Sequence, residues 1–202
     1  MARNGALWML VVSLVVPLLN GCAPVVVTGA AVGVSVVHDR RTPGTVLDDE
    51  HIELQGWGLL NDHPDIREHS RIAVTSYNLV VLLTGQAETQ EIRDRFAELV
   101  SRLPKVKRVV NEVTIGPSES LANEGEDALI TSRVKLALVG IKLPHFDLTR
   151  IKVVTEAGVV YLMGLVTPAE AEATVAKARY VPGVKRVVKV FEYIQPPPST
   201  PA

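Results

Sequence analysis

The thiol of Cys22 is the reactive group whose role the surrounding sequence defines best, because this 202-residue chain contains a single cysteine. The cysteine closes the string Leu18-Leu-Asn-Gly-Cys22, and Arg3 and an apolar run over residues 6–19 come before it. A basic residue followed by a short apolar run is the layout of a bacterial signal peptide. About 14 apolar residues are short for a bilayer, because a helix needs roughly 20 to cross one. The sequence therefore predicts a signal peptide over residues 1–21.

The end of this segment, Leu-x-Gly-Cys, resembles the lipobox of bacterial lipoproteins, in which the peptide is cut before the cysteine and the thiol is acylated. The resemblance implies lipidation of Cys22, with palmitate among its acyl groups. Two or more acyl chains hold a protein firmly on a membrane, whereas one holds it marginally. Because residue 23 is Ala rather than Asp, the sorting rule for such lipoproteins implies the periplasmic face of the outer membrane. The alternative is an ordinary secretory signal with a coincidental cysteine.

The other residues that could do chemistry form no recognisable site. The five histidines show no HxxxH or HExxH spacing, the glycines form no phosphate loop, and no serine has a nucleophile-elbow context. His63 and His69 could meet a metal with Asp62 or Asp65, and residues 48–50 could contact calcium, but a solvated surface and a helix start explain them more simply. We therefore expect no enzyme activity, no cofactor, no metal site and no small-molecule substrate.

Size and charge narrow the class of protein. Removing the signal leaves 181 residues, enough for one ordinary domain or two small ones. The net charge of −1 and a periplasmic address argue against nucleic acid as a partner. Residues 49–115 carry 8 basic and 11 acidic side chains, whereas residues 126–194 carry 10 basic and 7 acidic ones. This change of sign predicts different partners for the two halves.

An internal repeat organises the chain. Residues 72–85 and 151–164 read alike and end in Gly85 and Gly164, and the Pro-x-Val-Lys-Arg-Val-Val strings at 104–110 and 182–188 follow them. A period near 79 residues indicates a duplicated small domain rather than a solenoid. Each copy is predicted to read helix, strand, strand, helix, strand. The opening helices are expected at 49–61 and 127–139, each with an acidic residue at its start to suit the helix dipole.

In the second copy the hairpin is expected at residues 151–163, with Gly158 supplying a positive φ in its turn. Pro168 is expected in the first turn of the next helix, which is predicted to run to about residue 180. Residues 184–193 are predicted to form the last strand.

This layout resembles the BON domain, and two copies behind a lipobox resemble dual-BON outer-membrane lipoproteins. The most specific strings are Val153-Val-Thr-Glu-Ala-Gly158, Tyr161-Leu-Met-Gly-Leu-Val-Thr167 and Gly183-Val-Lys-Arg-Val187. The resemblance implies an α+β fold of two tandem α-β-β-α-β domains, each a small three-stranded mixed sheet packed by two helices. It also implies binding of anionic phospholipid by the second domain, support of outer-membrane integrity, and recruitment to lipid-rich sites such as the division septum.

The segments follow from the repeat and its flanks. We expect an acylated N-terminus and tether at 22–47, BON domain 1 at 48–116, a linker at 117–125 and BON domain 2 at 126–194. Residues 195–202 hold four prolines and are expected to form a disordered tail.

The two opening helices differ on their outer faces. A common inner face, with Ile130, Val134, Ala137 and Leu138 in the second copy matching Ile52, Gly56, Leu59 and Leu60 in the first, is expected to be core. On the opposite face the second helix carries an apolar ridge (Leu129, Leu136 and Val139) edged by Arg133 and Lys135. The first helix is expected to be polar there apart from Trp57.

An apolar stripe edged by cations suits a membrane interface, where aliphatic groups enter the acyl boundary and cations meet anionic headgroups. We therefore predict that Leu129, Arg133, Lys135, Leu136 and Val139 bind phospholipid. The competing interpretation is that the ridge packs against the first domain or the linker. A second hypothesis is an adaptor whose acidic first domain, with an exposed Trp57, docks an envelope protein.

Overall fold

The computed structural model describes residues 39–116 and 121–195, with side chains from residue 125 onward in the second range. The predicted signal peptide, Cys22, the tether up to residue 38, linker residues 117–120 and tail residues 196–202 lie outside the described residues.

Each repeat folds into a sheet with two main helices on one face. The first repeat contains α1 (Pro43–Asp62), α2 (Pro64–Arg67), β1 (Ser70–Tyr77), β2 (Val80–Ala87), α3 (Gln90–Ser101), β3 (Arg108–Asn111) and β4 (Thr114–Ile115). The second repeat contains α4 (Leu121–Val139), a 3-10 turn (Leu148–Arg150), β5 (Ile151–Glu156), β6 (Val159–Val166), α5 (Pro168–Ala178) and β7 (Arg186–Tyr193).

Both opening helices begin about one and a half turns earlier than predicted. The Oγ1 of Thr42 accepts a hydrogen bond from the amide of Thr45 at 3.1 Å, and Pro43 occupies the first turn, where its missing N–H costs nothing. The predicted start at Asp49 is therefore wrong, and α1 includes residues assigned to the tether. In the same way α4 begins at Leu121, inside the predicted linker.

The two sheets have the predicted mixed topology. In each, the first two strands form an antiparallel hairpin and the last strand runs parallel to the second, across a helical crossover. The first sheet differs because its last strand is interrupted at Glu112 and Val113, which separates β3 from β4. Opposite this interruption Gly85 has a φ of +110°, and a Cβ there would lie 1.9 Å from the carbonyl oxygen of Arg71. Only glycine fits this close approach.

An aspartate on each opening helix holds the turn of its own hairpin. Asp127 accepts hydrogen bonds from the amides of Ala157 and Gly158 at 2.7 and 2.8 Å. Asp49, the equivalent residue, accepts from the amides of Asn78 and Leu79 at 2.8 Å.

The turn residues take positive φ, as predicted for Gly158 at +78°, although Leu79 adopts +68° in the first repeat without being glycine. Asp49 and Asp127 therefore lock helix to hairpin, and the expected role of Asp49 at a helix start is wrong.

The two sheets pack back to back and share a core. On β2, Val81 and Leu83 face the helices, whereas Val80 and Leu82 face the other sheet. The shared cluster consists of Tyr77, Val80, Leu82, Tyr161, Met163 and Val190, each at most 5% exposed. Burial raises the pKa of both tyrosines in it to about 12. The order of layers is therefore helices, sheet, sheet, helices.

Among the described residues, no helix combines the length and the apolar character that crossing a bilayer requires.

Candidate functional site

The helix α4 has an inner face that fixes its orientation. Ile130, Val134 and Leu138 are 0 to 1% exposed and pack with β5, β6 and α5 in the core of the second repeat. Ala137 is partly buried against the same cluster. The predicted core face is confirmed, and the matching Ile52 and Gly56 of α1 are likewise buried. Because this face is anchored over three turns, the opposite face of α4 is held toward solvent.

The apolar ridge lies on that solvent face. Leu129 is 56% exposed, Leu136 73% and Val139 63%. Leu129 and Leu136 are seven residues apart and Val139 is three further on, so the three side chains follow one line along the helix. The competing interpretation, in which the first domain buries these side chains, is therefore wrong.

Cations lie on both sides of the ridge and beyond its C-terminal end. Arg133 and Lys135 project on opposite sides of it, and both are exposed. Two further lysines, missed at the sequence level, lie near the C-terminal end of α4. Lys142 is exposed three residues past the helix, and the Nζ of Lys177, on α5, lies 3.8 Å from where a Cβ on Gly140 would be. Arg133, Lys135, Lys142 and Lys177, here called the basic collar, form no salt bridge with another described residue.

The equivalent helix of the first repeat was predicted to be polar on its outer face apart from Trp57, and this prediction is wrong. Besides Trp57, which is 67% exposed, Leu47 and Leu54 are 65% and 67% exposed. The prediction failed because the helix was expected to start after Leu47, and because Leu54 corresponds to Ser132 rather than to a ridge residue. An exposed apolar stripe is thus common to both opening helices.

Charge, rather than apolar exposure, distinguishes the two helices. The segment Pro43–Asp62 contains five acidic residues and no lysine or arginine. In α4 the last acidic residue is Asp127. Among the twelve residues from Ala128 to Val139, the charged ones are Arg133 and Lys135. An anionic surface would therefore attract the ridge of α4 and repel the stripe of α1.

The sequence model of the BON-domain family matches this chain at residues 48–117 and 126–195. The chain belongs to the BON-domain family. Its two matches coincide with the two repeats, so α1 and α4 are the opening helices of BON domains 1 and 2.

Two curated relatives resemble most of the chain. The outer membrane lipoprotein DolP of Haemophilus influenzae is 35% identical over 176 residues, which cover 87% of this chain and 90% of that protein. The 21 kDa hemolysin of Actinobacillus pleuropneumoniae is 35% identical over 157 residues, which cover 78% of this chain and 80% of that protein. Among solved structures, the C-terminal domain of CdsD, a type III secretion protein of Chlamydia trachomatis, is 16% identical with a TM-score of 0.28 and covers 73% of this chain and 67% of that one.

The N-terminal arm, Asp39 to Thr42, is fastened to both BON domains. The guanidinium of Arg40 donates to both carboxylate oxygens of Glu170 at 2.7 and 2.9 Å and to the carbonyl of Leu165 at 2.8 Å. Arg41 donates to Asp49 at 2.8 Å and lies 3.9 Å from the centre of the Tyr77 ring. The chain from Cys22 therefore joins the body at a fixed point.

That point is close to one edge of the ridge. Arg41 and Lys135 line the same cleft, of about 330 Å³, between α1 and BON domain 2. Seventeen residue steps separate Cys22 from Asp39, and a chain of that length reaches at most roughly 60 Å.

The carboxylate of Glu170 is 6% exposed and stays ionised. Burial alone would raise its pKa, but hydrogen bonds from Arg40 and from the amide and hydroxyl of Thr167 outweigh that effect and lower the pKa of Glu170 below its usual value. The amide of Thr167 donates to Glu170 at 2.8 Å and the amide of Glu170 donates back to the hydroxyl of Thr167, which forms a capping box at the start of α5.

Proposed function

We propose that this chain is a non-enzymatic, DolP-type outer-membrane lipoprotein, anchored through Cys22, whose BON domain 2 binds anionic phospholipid through the ridge of α4. Contact between BON domain 2 and the headgroups supports the integrity of the envelope. The two BON domains and the extended similarity to a protein named outer membrane lipoprotein DolP support the compartment and the anchor. The lipid contact rests on the geometry of α4.

One observation carries the lipid contact: three large aliphatic side chains, all more than half exposed, lie in a line between cations. A buried leucine gains about 1.5 to 3 kcal/mol on leaving water, so partial insertion of Leu129, Leu136 and Val139 contributes a few kcal/mol. Each basic residue near an anionic surface adds about 1 kcal/mol. Such contacts are weak in solution, but an acyl anchor keeps the local membrane concentration high, so weak binding suffices.

The test is vesicle binding by the mature chain with Cys22→Ser, which removes the anchor and leaves the ridge as the site of contact. We expect co-sedimentation with vesicles that contain phosphatidylglycerol or cardiolipin, and weak or no binding to phosphatidylcholine. Leu129→Glu combined with Leu136→Glu should reduce binding more than about tenfold, because it removes apolar insertion and adds charge repulsion.

The chain contains its own matched control. Leu47→Glu combined with Leu54→Glu makes the same change at similarly exposed positions on α1, and this variant should keep wild-type binding to anionic vesicles. His51→Glu should also have no effect. Equal binding of the wild type to neutral and anionic vesicles, or equal loss in the two leucine double variants, would contradict the proposal.

The second candidate is an adaptor that docks an envelope protein through BON domain 1. Exposure of Leu47, Leu54 and Trp57 on an acidic helix favours it, because that stripe suits a partner with a basic, apolar surface. Photo-crosslinking from position 54 in cells tests it. A stoichiometric protein adduct, lost with Trp57→Glu, would support docking, whereas lipid adducts or none would argue against it.

A further inference from the structure

A groove on BON domain 2, separate from the ridge, lies between α5 and the last strand. It has a volume of about 490 Å³. Ala171, Val175 and Ala176 line it from α5, and Tyr193 lines it from β7. Its charged lining residues are two cations, Arg179 and Lys189, and one acidic residue, Glu172. Tyr193 is 56% exposed, so the groove is open to solvent. None of its lining residues belongs to the ridge or the basic collar.

The strand that borders the groove is a long, regular edge. β7 pairs with β6 over eight residues without interruption, and no other described strand pairs with it. The equivalent edge of the first sheet is broken between Asn111 and Thr114. An uninterrupted edge offers a row of unpaired N–H and C=O groups to another chain. A helix beside such an edge provides pockets for alternate side chains of an added strand.

The charge around the groove favours an acidic occupant, because the two cations that line it outnumber Glu172. The stretch from Lys177 to Lys189 contains five basic residues and no acidic one. Three of them have described partners: Lys185 donates to the carbonyl of Ala157 at 3.0 Å, Arg186 pairs with Glu112 at 3.4 Å, and the guanidinium of Arg179 lies 4.9 Å from the centre of the Tyr180 ring. Arg179 and Lys189 face the groove. Acidic side chains on an incoming segment would complement them.

A second copy of this chain is a poor occupant. Lys189 lies at the middle of β7, so antiparallel pairing of two β7 strands would bring two lysines together near the symmetry axis. Like charges opposite each other on neighbouring strands are destabilising, and a lysine on an edge is a common barrier to self-association. The apolar lining would suit an acyl chain, but a lipid would leave the N–H and C=O groups of the edge unused.

We propose that the groove binds an extended acidic segment of a protein partner, added as a fourth strand beside β7. Backbone hydrogen bonds to the open edge of β7 hold the segment. Its alternate apolar side chains enter between α5 and β7, and its acidic side chains pair with Arg179 and Lys189. This site is independent of the lipid contact proposed for α4.

The test uses the mature Cys22→Ser chain, isotope-labelled for NMR, and a short end-capped peptide of alternating valine and glutamate. We expect shifts confined to β7 and α5 and slower hydrogen exchange of β7 amides, which is the signature of strand addition. Arg179→Glu with Lys189→Glu should weaken binding at least about tenfold, because both cations are exposed and their reversal leaves the core intact. The same variant should bind a valine-lysine peptide better than the wild type does.

The control variant is Arg133→Glu with Lys135→Glu, which makes the same charge change on α4. It should lose binding to anionic vesicles and keep binding to the glutamate peptide. The variant with Arg179→Glu and Lys189→Glu should show the reverse pattern, so the two proposals can fail separately. Equal affinity for the glutamate and lysine peptides, unchanged exchange of β7 amides, or absence of binding would overturn the proposal. Shifts of β7 and α5 amides caused by anionic vesicles, without a response to peptide, would assign the groove to lipid instead.

Discussion

The guanidinium of Arg40 and the carboxylate of Glu170 form a two-pronged ion pair, 2.7 and 2.9 Å long, across 130 residues of sequence. Arg40 precedes the first helix of BON domain 1, and Glu170 caps α5 of BON domain 2. The pair is well shielded, with side-chain exposures of 18% and 7%. The segment before α1 is therefore fastened to the domain that carries the ridge.

We expect Arg40→Ala to lower the free energy of unfolding by about 2 kcal/mol, because it leaves a buried carboxylate with fewer donors. Urea denaturation of the mature chain measures this effect. Arg102→Ala is the matched control, since Arg102 forms an exposed pair with Glu98, and such pairs contribute at most about 1 kcal/mol. Similar losses in the two variants would contradict the role assigned to Arg40.

The stability gained from Glu170 should depend on pH. Because its pKa is lowered in the folded state, its contribution is full above the ordinary carboxyl pKa of about 4.3 and is lost as the pH falls through the lower folded value. The difference in unfolding free energy between the wild type and Arg40→Ala should therefore be constant near neutral pH and shrink below about pH 4. A difference that persists unchanged in acid would show that the ion pair is not its source.

Removal of a turn-holding aspartate should be costly. Asp127→Ala leaves the amides of Ala157 and Gly158 without their acceptor, and we expect a loss of about 2 to 3 kcal/mol. Asp49→Ala should cost more, because Asp49 is 3% exposed and also accepts from Arg41 and Ser76. Thermal and urea unfolding measure both changes. Glu126→Ala, at the exposed neighbouring position, should change stability by less than about 0.5 kcal/mol.

Cutting the chain between the domains should not separate them. With a protease site in place of residues 117–120, the cleaved halves should elute as one complex in size-exclusion chromatography, because Tyr77, Leu82 and Met163 are buried in the core shared by the two sheets. Met163→Asp places a charge in that core and should let the cleaved halves separate. Separation of the unmutated halves would mean that each BON domain is stable by itself.

Comparison of the two repeats made most of the secondary structure predictable. The hairpin with Gly158, the helix that begins at Pro168 and the buried face of α4 all follow from local patterns that packing reinforces. The first residues of the helices were harder to predict. The cap at Thr42 lies six residues before the acidic cluster that suggested a start, and its hydroxyl competes with several other polar residues for that role.

Contacts between residues far apart in the chain could not be predicted from the sequence. β2 and β6 carry apolar residues on both faces, as in Val80-Val81-Leu82-Leu83, which indicates burial on two sides but not which surface covers the second side. The clamp between Arg40 and Glu170 has no local signal at all. In the site, the ridge and its two nearest cations were predicted, whereas Lys177 joins the basic collar only because α5 ends beside Gly140.

The shared core between the sheets has a consequence for a single repeat on its own. A solitary copy would present tyrosine, methionine and valine side chains to water across the back of its sheet, so we expect its stability to depend on pairing with another copy at sufficient concentration. Joining two copies in one polypeptide removes that dependence on concentration. It also allows the outer faces of the two opening helices to differ in charge, with acidic residues along α1 and Arg133 and Lys135 beside the ridge of α4, while the packing between the sheets is kept.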